Sequence, residues 1–139
     1  APNSEFFVVI SGFMPAKSVL FDKKLNAVFE FGTHYRNFAK WNPFSRFLVL
    51  AGFGNLNGEM EVWDIKSLTV IGKGKSECAI KMEWAVDGRH FYTGVLNPRL
   101  RVNNNYKIFK YNCKQLSCFD FSESELYDVQ WVPNPILKY

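Results

Sequence analysis

Trp41-Asn42-Pro43-Phe44-Ser45 returns as Trp84-Ala85-Val86-Asp87-Gly88 and again as Trp131-Val132-Pro133-Asn134-Pro135. Ala1-Pro2-Asn3-Ser4 reads as the remainder of a further copy whose Trp would precede it. Aligned on the residue after each Trp, at 1, 42, 85 and 132, the copies are 41, 43 and 47 residues apart. A period of about 40–47 residues belongs to propeller blades or to paired-helix repeats, and the residues between the copies choose.

Those residues are strand-like. Phe6 to Phe13 and Lys17 to Asp22 read as strands joined near Met14-Pro15, and Ala27 to Phe31 as a third ended by Gly32. Asn37 to Trp41 enters the first Trp turn and Phe47 to Phe53 leaves it. Asn57-Gly58 tolerates the positive φ angles of a tight hairpin, and Glu59 to Asp64 beyond it alternates with period two. The order then repeats: Leu68 to Ile71, Ile80 to Trp84, His90 to Val95, Tyr106 to Tyr111, Leu116 to Phe121 and Leu126 to Trp131. No window carries a 3.6-residue apolar stripe, so helical repeats lose.

With the strands of a blade labelled a to d and the Trp turn joining a to b, the chain reads b-c-d, a-b-c-d, a-b-c-d, a. The expected fold is all-β: a WD-type β-propeller fragment, three blades' worth of four-stranded antiparallel sheets in permuted order. Residues 1–36 form a blade lacking strand a, 37–79 and 80–125 complete blades, and 126–139 a lone strand a. The ends of strand c align as Val19-Leu20-Phe21-Asp22, Glu61-Val62-Trp63-Asp64 and Ile108-Phe109-Lys110-Tyr111, the second holding the Trp-Asp pair that names WD repeats.

Composition narrows the classes. Aromatic residues make up 17% of the 139, which favours pleated, half-buried surfaces. No apolar run reaches the roughly 20 residues that span a bilayer, and no secretory leader is expected. Three cysteines (Cys78, Cys113, Cys118) are an odd number with no zinc spacing, so a reducing, cytoplasmic setting is expected. A net charge of +4 permits contact with RNA without demonstrating it.

Several segments together resemble one family. Gly12-Phe13-Met14-Pro15-Ala16-Lys17, Leu50 to Gly58, Met60-Glu61-Val62-Trp63-Asp64 and Pro98-Arg99-Leu100-Arg101-Val102-Asn103-Asn104 are similar to eukaryotic translation initiation factor 2A, as are Phe31-Gly32-Thr33 and Arg36-Asn37. The match departs at Asn105, where the family usually has Gly, and from Asn112 onward it is one of strand pattern alone. A related propeller in initiation factor 3 fits less well. The resemblance implies a propeller of about nine blades, of which this would be the C-terminal part. It also implies small-ribosomal-subunit binding and support of initiator methionyl-tRNA delivery, with tRNA and mRNA held mainly by regions outside this chain. The alternative is a generic WD scaffold that binds other proteins.

No catalytic, cofactor or metal residues are expected. Gly74-Lys75-Ser76 lacks the leading Gly of a phosphate loop, and Gly52-Phe53-Gly54 leads into a hairpin and not a helix. His34 and His90 have no matching acid or Cys pattern. Glu59 and Glu61 share a strand face that reads as a solvated arm. The Trp residues recur at one position, so they read as packing between blades rather than as a stacking platform for RNA.

The candidate RNA or ribosome contact is basic. Arg99 and Arg101 would project to one side of an extended loop, with Lys107 across the b–c turn, and guanidinium groups grip phosphate through paired donors. The competing reading is that one Arg pairs with an acid of an adjacent blade and the others are solvated. Lys17, Arg36 and Arg46 extend the patch if their loops share a face. Finally, the lone strand a is expected to complete the b-c-d sheet of a second copy, making a strand-exchanged homodimer with a six-bladed ring.

Overall fold

A computed structural model describes residues 1–97, 103–121 and 124–132. The described residues hold eleven strands and no helix. β1 (Phe6–Ser11), β2 (Ala16–Asp22) and β3 (Ala27–His34) form a three-stranded antiparallel sheet. β4 (Phe38–Trp41), β5 (Phe47–Ala51), β6 (Glu59–Asp64) and β7 (Thr69–Lys75) form the second, in that order. β8 (Lys81–Trp84), β9 (His90–Val95), β10 (Asn105–Lys110) and β11 (Gln115–Asp120) form the third. Each sheet is a meander of neighbours in sequence, as a permuted b-c-d, a-b-c-d, a-b-c-d run requires.

The middle sheet is packed on both faces, which explains its unbroken apolar run. Leu48 and Leu50 of β5 meet Leu20, Phe31 and Ile65 on one side, while Val49 and Ala51 meet Met82, Trp84, Phe91 and Phe109 on the other. Alternation along a strand sends successive side chains to opposite faces, so both sets must be apolar. Burying each Val or Leu fully is worth about 1.5–3 kcal/mol.

Glycine sets how closely these sheets approach. The strand expected to stop at Ile71 continues as β7 through Gly72-Lys73-Gly74-Lys75, so the Gly74-Lys75 pair lies in a strand and not in a phosphate-binding loop. A Cβ on Gly72 would stand 1.9 Å from the carbonyl oxygen of Asn112 in the third sheet.

Two Trp residues make one repeated contact with the preceding sheet. The Trp84 indole N–H donates to the Lys40 carbonyl (3.3 Å), and that of Trp131 to the Glu83 carbonyl (3.0 Å). Each acceptor is the residue just before the preceding Trp, so the copies stack in register. Among the described residues, 126–132 form no ladder with a sheet of their own chain. This segment lies along the flank of the third sheet. Lys81 Nζ reaches Asp128 at 2.5 Å, the Tyr92 hydroxyl donates to the Val129 carbonyl, and Asn97 N–H donates to the Leu126 carbonyl at 2.7 Å. The hydrogen bond to Asp128 raises the Lys81 pKa, and the same bond lowers that of Asp128. Trp131→Ala should release this segment: its amides should exchange faster while those of β5 and β9 stay protected, at a cost of about 1–2 kcal/mol. Unchanged exchange over 126–131 would refute that role for the indole.

Candidate functional site

A meander fixes which loops can meet. Antiparallel succession places the a–b and c–d turns on one rim, and the b–c and d–a loops on the other. The candidate cations therefore divide. Lys17 and Arg36 belong to the b–c/d–a rim, and Arg46, in an a–b turn, to the opposite one. Arg99 and Arg101 lie outside the described residues.

Within the first group the side chains are engaged. Lys17 is exposed and 2.6 Å from Glu30. Arg36 is 3% exposed, with Nη1 donating to the Phe31 carbonyl (3.2 Å) and Nη2 3.0 Å from Glu61 Oε1. Glu61 is 17% exposed and its other oxygen accepts from the Trp63 indole at 3.1 Å. So Glu61 is no solvated arm, and Arg36 is a structural cation closed off from phosphate. The burial that excludes it comes from two sheets meeting, which no local pattern reports. Lys107 is half-buried within β10, opposite Thr93 and Cys118. These residues do not converge on one patch with Arg46.

The a–b/c–d rim carries the larger feature. A groove of about 1150 Å³ runs between the second and third sheets. Asn42, 1% exposed, builds its floor: Oδ1 accepts from the N–H groups of Arg46 (2.9 Å) and Phe47 (3.1 Å), and Nδ2 donates to the Gly88 carbonyl (3.3 Å). One side chain thus ties consecutive Trp turns together. Gly88, at φ +66°, leaves room for the Phe44 ring, which a Cβ would meet at 2.4 Å. Phe44 remains 67% exposed at the lip.

Two cation–aromatic pairs line the walls. The Arg46 guanidinium sits 5.5 Å from the Phe47 ring centroid and the Lys110 ammonium 5.6 Å from that of Tyr111. Phe47 and Tyr111 stack at 5.2 Å with planes 6° apart. Arg46 Nη2 also lies 3.3 Å from Asp64 Oδ2. In the third sheet Asp87 accepts from Arg89 N–H (2.8 Å) and approaches the His90 ring at 2.8 Å. Burial alone would raise the Asp87 carboxyl, but the hydrogen bonds from Arg89 and His90 outweigh it and hold the pKa below the ordinary value.

Register decides the charge of this groove. Asp22 stands opposite Phe6, Asp64 opposite Phe47 and Lys110 opposite His90, so these three occupy one blade position. The sequence alignment of the third strand c is therefore one residue out: Phe109, and not Lys110, matches Phe21 and Trp63. The two Asp residues cap their c–d turns, accepting from Lys24 N–H (2.9 Å) and Lys66 N–H (3.0 Å). In the third sheet Asn112 takes over, accepting from Lys114 N–H at 3.1 Å, which leaves Lys110 on the groove. Arg46 and Arg89 also share a position, each five residues after its Trp. That spacing is legible in the sequence and marks Arg89, which motif reading passes over.

Burial, then the Glu61 charge, pushes the Cys113 thiol up to about 12, so it is no nucleophile. Among the described residues no cluster of His, Cys, Asp and Glu is placed to hold a metal, and no helix is long and apolar enough to cross a membrane.

The family model described as "Eukaryotic translation initiation factor eIF2A" matches residues 1–129. The chain belongs to the eukaryotic translation initiation factor 2A family. The factor 2A of Dictyostelium discoideum is 39% identical over 138 residues, covering 99% of this chain and 22% of that protein. The Drosophila melanogaster factor 2A is 38% identical over 132 residues, 94% of this chain and 21% of that protein. The chain thus spans about a fifth of the length of these relatives. A component of eukaryotic translation initiation factor 3 from Xenopus laevis is more distant, at 27% identity over 96% of this chain and 20% of that protein. A crystal structure of a eukaryotic initiation factor superposes with a TM-score of 0.87 at 33% identity, over 91% of this chain and 31% of the other. The β-propeller domain of the trilobed protease from Pyrococcus furiosus shares the fold alone, with a TM-score of 0.54 at 15% identity over 85% of this chain and 39% of that one. The factor 2A resemblance and the propeller reading both hold.

Proposed function

We propose that this part of an initiation factor 2A propeller is a non-catalytic, cytoplasmic binding module that docks on the small ribosomal subunit and supports initiator methionyl-tRNA delivery by the whole factor. The observation that carries the reading is the family match over residues 1–129. A net charge of +4 suits a partner rich in phosphate. Tests of the module are direct. Co-sedimentation with purified small subunits across about 50–200 mM salt should show saturable binding that weakens steeply as counterions compete. Absence of saturable binding at the lowest salt would refute a ribosome contact in this segment.

A further inference from the structure

We infer that the groove between the second and third sheets binds single-stranded RNA, with phosphates held by Arg89 and Lys110 and a base against Phe44. The inference rests on the initiation-factor reading and supplies a partner for one named site.

Charge sets the third sheet apart from the other two. In the second sheet the blade position of Asp64 neutralises Arg46 at 3.3 Å. In the third, the matching positions hold Lys110 and Arg89, so an acid–base pair has become two cations. Among the described residues neither forms an ion pair, and both side chains are exposed on the groove. Tyr111 N–H donates to the Arg89 carbonyl at 2.8 Å, so the two cations stem from adjoining backbone, and like charges brought near each other favour an anion. The acids that face the groove are committed elsewhere: Asp64 to Arg46 and Lys66 N–H, Asp87 to Arg89 N–H and His90.

Shape and ring chemistry select the anion. The groove opens to solvent along its length and does not enclose a small molecule, a shape that suits a polymer strand. Phe44 projects at the lip with 67% of its surface exposed, and bases stack on such rings where carboxylates of an acidic peptide cannot. Stacking on Phe44 needs an unstacked base, which a single strand offers and a duplex does not.

The test measures anisotropy of a labelled, unstructured RNA of about 12 nucleotides, a length within the range bound by single-strand modules. Lys110→Asp restores the acid of the other two sheets and should keep the melting temperature while weakening RNA binding by about tenfold or more. Arg89→Ala should do the same, and each should reduce the slope of log K against log salt by about 0.7 per phosphate lost. Phe44→Ala should weaken binding about 5- to 100-fold with the salt slope unchanged. Lys17→Ala, on the opposite rim, should bind like the parent chain. Parental affinity in all three groove variants would overturn the proposal, as would equal competition by duplex RNA or polyglutamate. Binding to small subunits without binding to the RNA would sink the groove and leave the initiation reading standing. Groove-dependent RNA binding without binding to small subunits would do the reverse.

Discussion

Gly72→Ala should separate the third sheet from the second, lowering stability by about 3–5 kcal/mol. The added Cβ would lie 1.9 Å from the Asn112 carbonyl oxygen, 2.3 Å from its carbon and 2.9 Å from its Cα. All three are backbone atoms, so no rotamer change relieves the clash. The turn cannot retreat easily, because the next residue, Cys113, is buried in the core shared by both sheets. Overpacking usually costs about 1–3 kcal/mol, and a Cβ driven into fixed backbone belongs above that range. Gly74→Ala is the internal comparison. Its Cβ would meet the Cys113 side chain at 3.1 Å, a softer contact that should cost about 1 kcal/mol. Urea unfolding of the two variants checks the ordering, and a Gly72→Ala midpoint equal to the parent's would disprove the contact.

Arg36→Ala should cost about 3 kcal/mol and abolish any activity through instability, not through lost RNA contact. Removing the guanidinium strands Glu61 between sheets with its charge uncompensated, which is the expensive way to break a buried pair. The Phe31 carbonyl loses its donor as well. Arg36→Met combined with Glu61→Gln should recover most of the loss, since both charges leave together and Gln still accepts from the Trp63 indole. Thermal melts of the single and double variants separate the cases. A stable Arg36→Ala with weakened RNA binding would return Arg36 to the interface.

These two residues show where reading along the chain stops. Arg36 stands in a polar linker whose local composition says surface, and its burial arises from β3 and β6 meeting around it. Gly72 looks like one glycine in a loose Gly-Lys-Gly-Lys run. Its necessity comes from Asn112, forty residues away, arriving against its backbone. The groove is a third case. Arg46 and Arg89 share a place in the repeat that the Trp spacing makes visible, yet aligning the ends of strand c by sequence sets Lys110 one residue out.

By itself the sequence determined the all-β class, the permuted order of strands and the family. Those depend on short-range chemistry: apolar alternation, turn residues that accept positive φ, and a Trp turn recurring in phase. Tertiary structure decided which cations are free and which are spent. Strand register and sheet approach are set by hydrogen bonding and packing between segments distant in the chain, and a shift of one residue turns every side chain to the other face. That single residue of register is what puts Lys110, and not Tyr111, where the other blades keep an aspartate.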